Sequence, residues 1–160
     1  MAYYVPEILL WLFVIDLGIA VGAGLYEQRI VLPLWFDRSS PGTIRVNREA
    51  MRSIDTGRKF WGFVTTVPLT LLALVNLPLA WNSVWARREW WLAAALVTLL
   101  ERIGTFSYFI PTAIKLMRVD TAPPEKIGAM ASQWMALNRV RGALALAGWL
   151  AALKALSLPG

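Results

Sequence analysis

Glu101 and Arg102 are adjacent charged residues inside a stretch, residues 90–117, that is otherwise largely apolar and long enough to cross a lipid bilayer. Charged side chains at membrane depth are costly, so they normally face a protein interior or a water-filled cavity and carry a function. A further stretch, residues 130–156, has the same feature, with Asn138, Arg139 and Arg141. The function is therefore expected at a polar centre within the membrane.

The polar side chains of each stretch fall on one face of a helix. In residues 90–117 the spacing follows i, i+3, i+7, i+10, i+14 and i+17, and in residues 130–156 it follows i, i+4 and i+7. The first stripe is Thr98, Glu101, Thr105, Tyr108, Thr112 and Lys115, and the second is Trp134, Asn138 and Arg141. Hydrocarbon favours such stripes pointing inward.

Helical rise predicts where the charges meet. Asp16, Glu101 and Arg141 each lie roughly 16 Å along their helices from the ends of their apolar stretches, which places all three near the bilayer midplane. An unpaired charge at that depth costs several kcal/mol. We therefore expect Asp16, Glu101, Arg102 and Arg141 to neutralise one another.

This set of residue types suits general acid and base chemistry. A buried carboxylate, Glu101 or Asp16, can abstract a proton, while Arg141 and Asn138 can stabilise the oxyanion that forms on a substrate. Tyr108 supplies a phenol, and Trp134, Thr105 and Arg102 are expected to contact the substrate. The alternative is that these charges only hold the helices together.

The composition indicates lipid as the solvent. Of 160 residues, 58% are hydrophobic and 16% are charged, whereas about a quarter of a soluble domain is charged. Apolar stretches long enough to span occur at residues 5–26, 60–81, 90–117 and 130–156. They predict an all-α fold, a four-helix transmembrane bundle, with residues 1–160 forming one membrane domain.

The basic residues follow the positive-inside rule, which explains the net charge of +6 without a nucleic-acid partner. Loops 28–59 and 115–126 are strongly basic, whereas the opposite side has three basic residues, Arg87, Arg88 and Lys154. This bias predicts a multi-pass integral membrane protein with both long loops in the cytoplasm and both termini outside.

The longest loop is expected to contain a short interfacial helix. Ile44, Met51 and Ile54 fall at i, i+7 and i+10, with Arg45, Arg48 and Arg52 spaced to face lipid headgroups. A turn is predicted at residues 39–42. The segment is either a lid over the cytoplasmic mouth of the bundle or a solvated basic loop.

The chain has no cysteine and no histidine. This excludes disulfides and metal sites built on thiolate or imidazole ligands. A site made only of carboxylates, such as Asp16, Glu27 and Glu101, is the less favoured option, because common di-iron carboxylate bundles also use histidine. The prediction is that no metal and no other cofactor takes part.

Short motifs distributed along most of the chain carry a family resemblance. They are Gly24-Leu25-Tyr26-Glu27, Pro33, Tyr108-Phe109-Ile110-Pro111-Thr112-Ala113-Ile114-Lys115-Leu116 and Trp134-Met135-Ala136-Leu137-Asn138-Arg139-Val140-Arg141. In these motifs the chain resembles the anthrone oxygenase-like family of small four-span membrane proteins, many of which have no assigned function.

Anthrone oxygenases are associated with the oxidation of aromatic polyketides without a metal or a flavin. The resemblance implies that Asn138 and Arg141 are the foremost site residues, followed by Tyr108 and Glu101. It also implies roles for Tyr26 and Glu27 in binding the substrate.

Two classes of function remain open. The first is an integral membrane enzyme that acts on a small lipophilic molecule, either as an oxygenase or as an isomerase, cyclase or hydrolase. The second is a non-enzymatic accessory or assembly subunit of a larger membrane complex or homo-oligomer. A transporter is less favoured, because the two halves of the chain do not resemble each other.

Overall fold

The computed structural model describes residues 4–40, 43–118 and 123–159. Within these ranges the chain forms five helices and one short hairpin. Helix α1 covers residues 4–35, the hairpin pairs β1 (Phe36–Ser40) with β2 (Thr43–Val46), and α2 is Arg48–Ile54. The remaining helices are α3 (Gly57–Trp81), α4 (Trp85–Arg118) and α5 (Pro124–Leu156).

Three of the helices, α1, α3 and α4, are long and apolar enough to cross a membrane. This confirms a largely helical chain with helices that are long and apolar enough to span a bilayer. Each of these three helices is longer than its predicted apolar stretch, because polar residues next to the stretch are also helical. The fourth predicted span lies within α5, which has 33 residues but is not one of these three.

The long helices pack side by side, with α1 and α4 each contacting both α3 and α5. Small residues make the close approaches possible: Ala73, Ala94, Ala152 and Ala155 are fully buried. One polar contact crosses this core, where the indole nitrogen of Trp91 donates to the Asn76 side chain at 2.9 Å. The Asn76 amide in turn donates to the carbonyl of Leu9 at 3.3 Å, so one asparagine links three helices.

The short helix predicted in the longest loop is present only in the second half of the predicted segment. Ile44 lies in β2, and the helix begins after Asn47, whose side chain accepts a hydrogen bond from the Ala50 amide at 3.0 Å. An asparagine in this position is a strong helix start, and β-branched residues before it favour an extended chain. Of the predicted turn, residues 41 and 42 lie outside the described residues.

The hairpin and α2 cover one end of the helix assembly. Their apolar side chains, including Phe36 and Met51, join a buried cluster with Leu116 of α4 and Trp134 of α5. Arg52 donates from Nε to the carbonyl of Met117 at 3.2 Å, which links α2 to the end of α4. The segment is thus packed onto the helices, as a cover would be.

Gly128 marks the contact between the hairpin and α5. A Cβ atom at this position would lie 3.2 Å from the Ile44 carbonyl oxygen, which is backbone and cannot rotate away. Gly128→Ala should therefore lower the thermal midpoint of unfolding in detergent relative to Gly22→Ala. Gly22 is the matched control, because a Cβ there meets nothing within 4 Å and alanine favours the helix by about 1 kcal/mol. Equal midpoints for the two variants would contradict this packing.

Candidate functional site

A cavity of about 840 Å³ lies between the long helices at the end covered by α2. On α4 the lining residues recur from Glu101 to Arg118, which is about 25 Å of helix. On α5 they recur from Trp134 to Leu146, about 18 Å. The cavity is therefore elongated along the helix axes and runs from the covered end toward the middle of the assembly.

The inner end of the cavity holds an adjacent pair of opposite charges, Glu101 and Arg102. Glu101 and Arg102 are both buried, and the guanidinium of Arg102 binds Glu101 Oε2 through Nε at 2.6 Å and through Nη2. Thr105 donates to Glu101 Oε1 at 3.0 Å. Adjacent helix residues do not face each other, so the long Arg102 side chain must fold back to make this pair.

A second carboxylate, Glu27, lies nearer the covered end and is also buried. Its Oε1 accepts hydrogen bonds from the Thr56 hydroxyl at 2.9 Å and the Trp61 indole at 2.8 Å. Its Oε2 lies 3.9 Å from Arg141 Nη2. The two donors fix the orientation of the carboxylate and leave Oε2 directed to the arginine.

Arg141 lies between the two carboxylates. Besides Glu27, it faces Glu101 at 3.8 Å through Nε, and both ion pairs are longer than a hydrogen bond. Its guanidinium also stacks near the rings of Phe109, at 4.8 Å, and Trp61, at 5.8 Å. Two carboxylates and two guanidiniums thus balance in charge, and Arg141 is the more loosely held cation.

Prolines explain why these side chains converge. α1, α3 and α4 each contain a π-helical segment that ends just before a proline: Glu27–Val31 before Pro33, Gly57–Thr66 before Pro68 and Thr105–Phe109 before Pro111. Proline lacks an N–H, and its ring clashes with the carbonyl four residues back. In each case the residue before the proline bonds instead to the carbonyl five residues back.

The three widened turns carry much of the cavity wall. Glu27, Trp61, Thr105 and Phe109 all lie in them and line the cavity. π-Helical turns of this kind often occur at functional sites, because they reorient side chains relative to a regular helix. Pro78, inside the regular part of α3, has no such segment before it.

Seven of the ten residues predicted for the site line the cavity. They are Glu101, Asn138, Arg141, Trp134, Glu27, Arg102 and Thr105. Asn138 is 2% exposed, and its Oδ1 has no hydrogen-bond partner among the described residues. Trp134 is buried and donates to the Phe109 carbonyl at 3.2 Å, so its indole is already engaged.

Asp16, Tyr108 and Tyr26 do not line the cavity. Asp16 is buried and within the electrostatic range of Arg102, but neither of its oxygens has a hydrogen-bond partner in the described chain. Asp16 does not pair with Arg102 as expected, because Arg102 already binds Glu101, its neighbour on α4. Tyr108 packs edge-on against Phe109, and Tyr26 is 62% exposed.

Sequence reasoning missed the partners that hold Glu27. Thr56 and Trp61 lie at the start of α3, where an interfacial tryptophan is ordinarily interpreted as a membrane anchor. The signal that could have identified Trp61 is Pro68, since a proline inside an apolar span predicts a distorted turn before it.

The described residues hold no group of three or more metal-ligating side chains.

Comparison with known proteins returned no matching family, curated protein or solved structure. The resemblance to the anthrone oxygenase-like family therefore rests on the short motifs alone. It stays a prediction.

Pro111→Ala tests the origin of the distorted turn in α4. The new amide can bond to the carbonyl four residues back, so residues 105–109 should revert to regular helix. Amide hydrogen exchange at residues 105–110 should slow several-fold, which mass spectrometry in detergent would measure. Pro78→Ala is the control, because no π-helical segment precedes it. Unchanged exchange in Pro111→Ala would show that the wide turn has another cause.

Proposed function

We propose that this chain is an integral membrane enzyme that acts on a small lipophilic molecule by acid and base chemistry of its own side chains. The observation that carries this proposal is the cavity, which combines apolar walls with the paired charges of Glu27, Glu101, Arg102 and Arg141. Ligand sites of enzymes commonly have this form, an apolar pocket with a few convergent polar groups.

Access from lipid is supported by the cavity wall. Four large apolar lining residues are exposed at the surface: Leu25, Ile110, Ile114 and Leu146. They lie on α1, α4 and α5, where a surrounding bilayer would cover them. A lipophilic substrate can then enter sideways from the membrane without crossing water.

The proposed membrane arrangement has four spans. α5 packs along both α1 and α4, which are apolar enough to cross a bilayer, so α5 shares their layer. The hairpin, α2 and most of the basic residues lie at the cavity end, and the positive-inside rule places that end in the cytoplasm. Both termini are then outside.

Glu27 is the better-placed base, in preference to the Glu101 or Asp16 expected from the sequence. Glu101 is held by Arg102 and Thr105, and Asp16 lies away from the cavity. The Oε2 atom of Glu27 faces only a distant guanidinium nitrogen. It would remove a proton from a carbon beside a carbonyl group, and Arg141 with the Asn138 amide would stabilise the enolate oxygen.

The fate of the enolate defines the reaction. If the carbanion combines with molecular oxygen, which is then the oxidant, the enzyme is an oxygenase, as the anthrone oxygenase resemblance suggests. If a proton returns to another carbon, the enzyme is an isomerase, and attack on an internal electrophile gives a cyclase. Glu101 serves in each version as a positioning residue that holds Arg102 and faces Arg141.

A second candidate function is an accessory or assembly subunit. Arg139 is exposed on α5, about 13 Å along the helix from Met130, where a four-span arrangement puts it at membrane depth. A charged side chain facing lipid is costly. A partner subunit, or a second copy of this chain, would cover it.

Proton abstraction can be measured without knowing the final reaction. We expect the detergent-solubilised protein to catalyse deuterium exchange from D₂O into 1,8-dihydroxyanthrone under argon, followed by its oxidation when oxygen is admitted. Glu27→Gln should slow the exchange at least 100-fold, because general-base catalysis is typically worth 10²–10⁴-fold. Glu49→Gln is the control, since Glu49 is exposed on α2 and does not line the cavity.

Equal exchange rates for Glu27→Gln and the wild type would remove Glu27 from the mechanism. The accessory function is the correct one if two results are found together. The wild type shows no turnover, and Glu101→Gln leaves a folded monomer but abolishes a higher assembly. Exchange under argon without oxidation in air would assign an isomerase or cyclase.

The absence of cysteine makes the topology directly testable. Single cysteines at Ser53, Ser83 and Ser157 report on α2, the link between α3 and α4, and the C-terminal end. In intact cells a membrane-impermeant maleimide should label Ser83→Cys and Ser157→Cys, while Ser53→Cys should react only after lysis. Labelling of Ser53 and Ser157 from the same side would rule out four spans.

A further inference from the structure

The outer end of the cavity has a basic rim, formed by Arg52, Arg58 and Arg118. All three residues are exposed, and Asp55 is the acidic residue among the lining residues at this end. Arg58 pairs with Asp55 only loosely, at 3.8 Å with 82% of its side chain exposed. The rim therefore carries a net charge of +2, whereas the charges of Glu27, Glu101, Arg102 and Arg141, farther along the cavity, balance.

The length and lining of the cavity suit an elongated ligand. Its lining residues recur along roughly 25 Å of α4, and its walls are largely apolar. An amphiphile can therefore lie along the helices with its apolar body against these walls.

We infer that the natural ligand is an amphiphile with an anionic group, carboxylate or phosphate, which the basic rim binds while the apolar body extends inward. This inference rests on the proposed function and adds to it the charge and the orientation of the substrate. The positive-inside rule accounts for basic residues on this side of the membrane. That rule does not explain why three arginines surround the mouth of a cavity. Complementarity between these arginines and an anionic ligand does explain it.

The orientation follows from the order of the charged residues along the cavity. Arg118 lies about 25 Å along α4 from Glu101, and both line the cavity. With the anion at Arg58 and Arg118, the apolar body extends inward past Glu27, which is bonded to Thr56, toward Arg141 and Glu101. A substrate held in this way would present a carbon of its apolar body to the base.

Quenching by a brominated amphiphile tests the inference. The probes are 12-bromododecanoate and the neutral 12-bromododecan-1-ol, added to protein in nanodiscs of zwitterionic lipid. Bromine quenches tryptophan only at close range, so a tail beside Trp61 and Trp134 should give saturable quenching. We expect the carboxylate to bind at least tenfold more tightly than the alcohol, and acetate or inorganic phosphate alone not to displace it at equal concentration.

The matched variants are the double substitution R58Q/R118Q and the control R45Q. Arg52 is left in place because it holds α2 to α4, and Arg45 is an exposed hairpin residue that does not line the cavity. Removing two rim charges should weaken carboxylate binding about tenfold, with R45Q unchanged and the circular dichroism of both variants native-like. If the double variant is not folded, R118Q alone should show a smaller loss.

Equal binding of the two bromo compounds, equal binding by R58Q/R118Q and R45Q, or quenching that never saturates would each overturn the inference. These measurements do not depend on turnover. Carboxylate binding without any deuterium exchange would retain the anionic ligand and reject the enzyme. Deuterium exchange together with equal binding of the two bromo compounds would retain the enzyme and reject the anionic ligand.

Discussion

Buried charges must find partners in a medium that does not solvate them, and this requirement organises the centre of the molecule. Glu101 and Arg102 satisfy it almost completely, through direct contacts within one helix and from Thr105. Arg141 satisfies it only in part, because it lies at 3.8 Å and 3.9 Å from two carboxylates on different helices. The first arrangement stabilises the fold. The second leaves a cation between two anions that can still turn toward a ligand, since neither of its ion pairs has hydrogen-bond geometry.

The prolines supply the backbone conformation that this centre needs. A regular helix would distribute Glu27, Trp61 and Thr105 according to a single periodicity, whereas a widened turn before each proline changes the direction of the side chains relative to the rest of the helix. In a membrane, such irregular backbone is tolerated where it is buried in protein or lines a cavity. The coincidence of three proline-linked turns with one cavity wall therefore favours a site over a chance distortion.

Much of this arrangement could be predicted from hydropathy and helical spacing, because lipid allows few alternatives. The apolar stretches predicted four spanning helices, of which three are long and apolar enough to cross a membrane. The polar stripes predicted that Glu101, Asn138 and Arg141 face one cavity, which all three line. Spacing could not predict that Asp16 stays unpaired, since that depends on Glu101 having already bound Arg102. Nor could it predict the hairpin, where pairing of Phe36–Ser40 with Thr43–Val46 competes with a helical pattern that begins at Ile44. The role of Trp61 required knowing how the turn before Pro68 directs its indole.

The distribution of charge along the cavity separates binding from chemistry. Farther along the cavity, the charges of Glu27, Glu101, Arg102 and Arg141 cancel, so this centre attracts neither anions nor cations strongly and can respond to charge that develops during a reaction. At the outer end the arginines have a surplus of positive charge and contact water, where they can attract an anionic group while screening keeps its release feasible. An amphiphile entering from the bilayer would meet the rim at the depth of lipid headgroups and the carboxylates at the depth of hydrocarbon. The same gradient of polarity that orients a lipid in the membrane would then orient a substrate in the protein, with its reactive carbon beside Glu27 and Arg141.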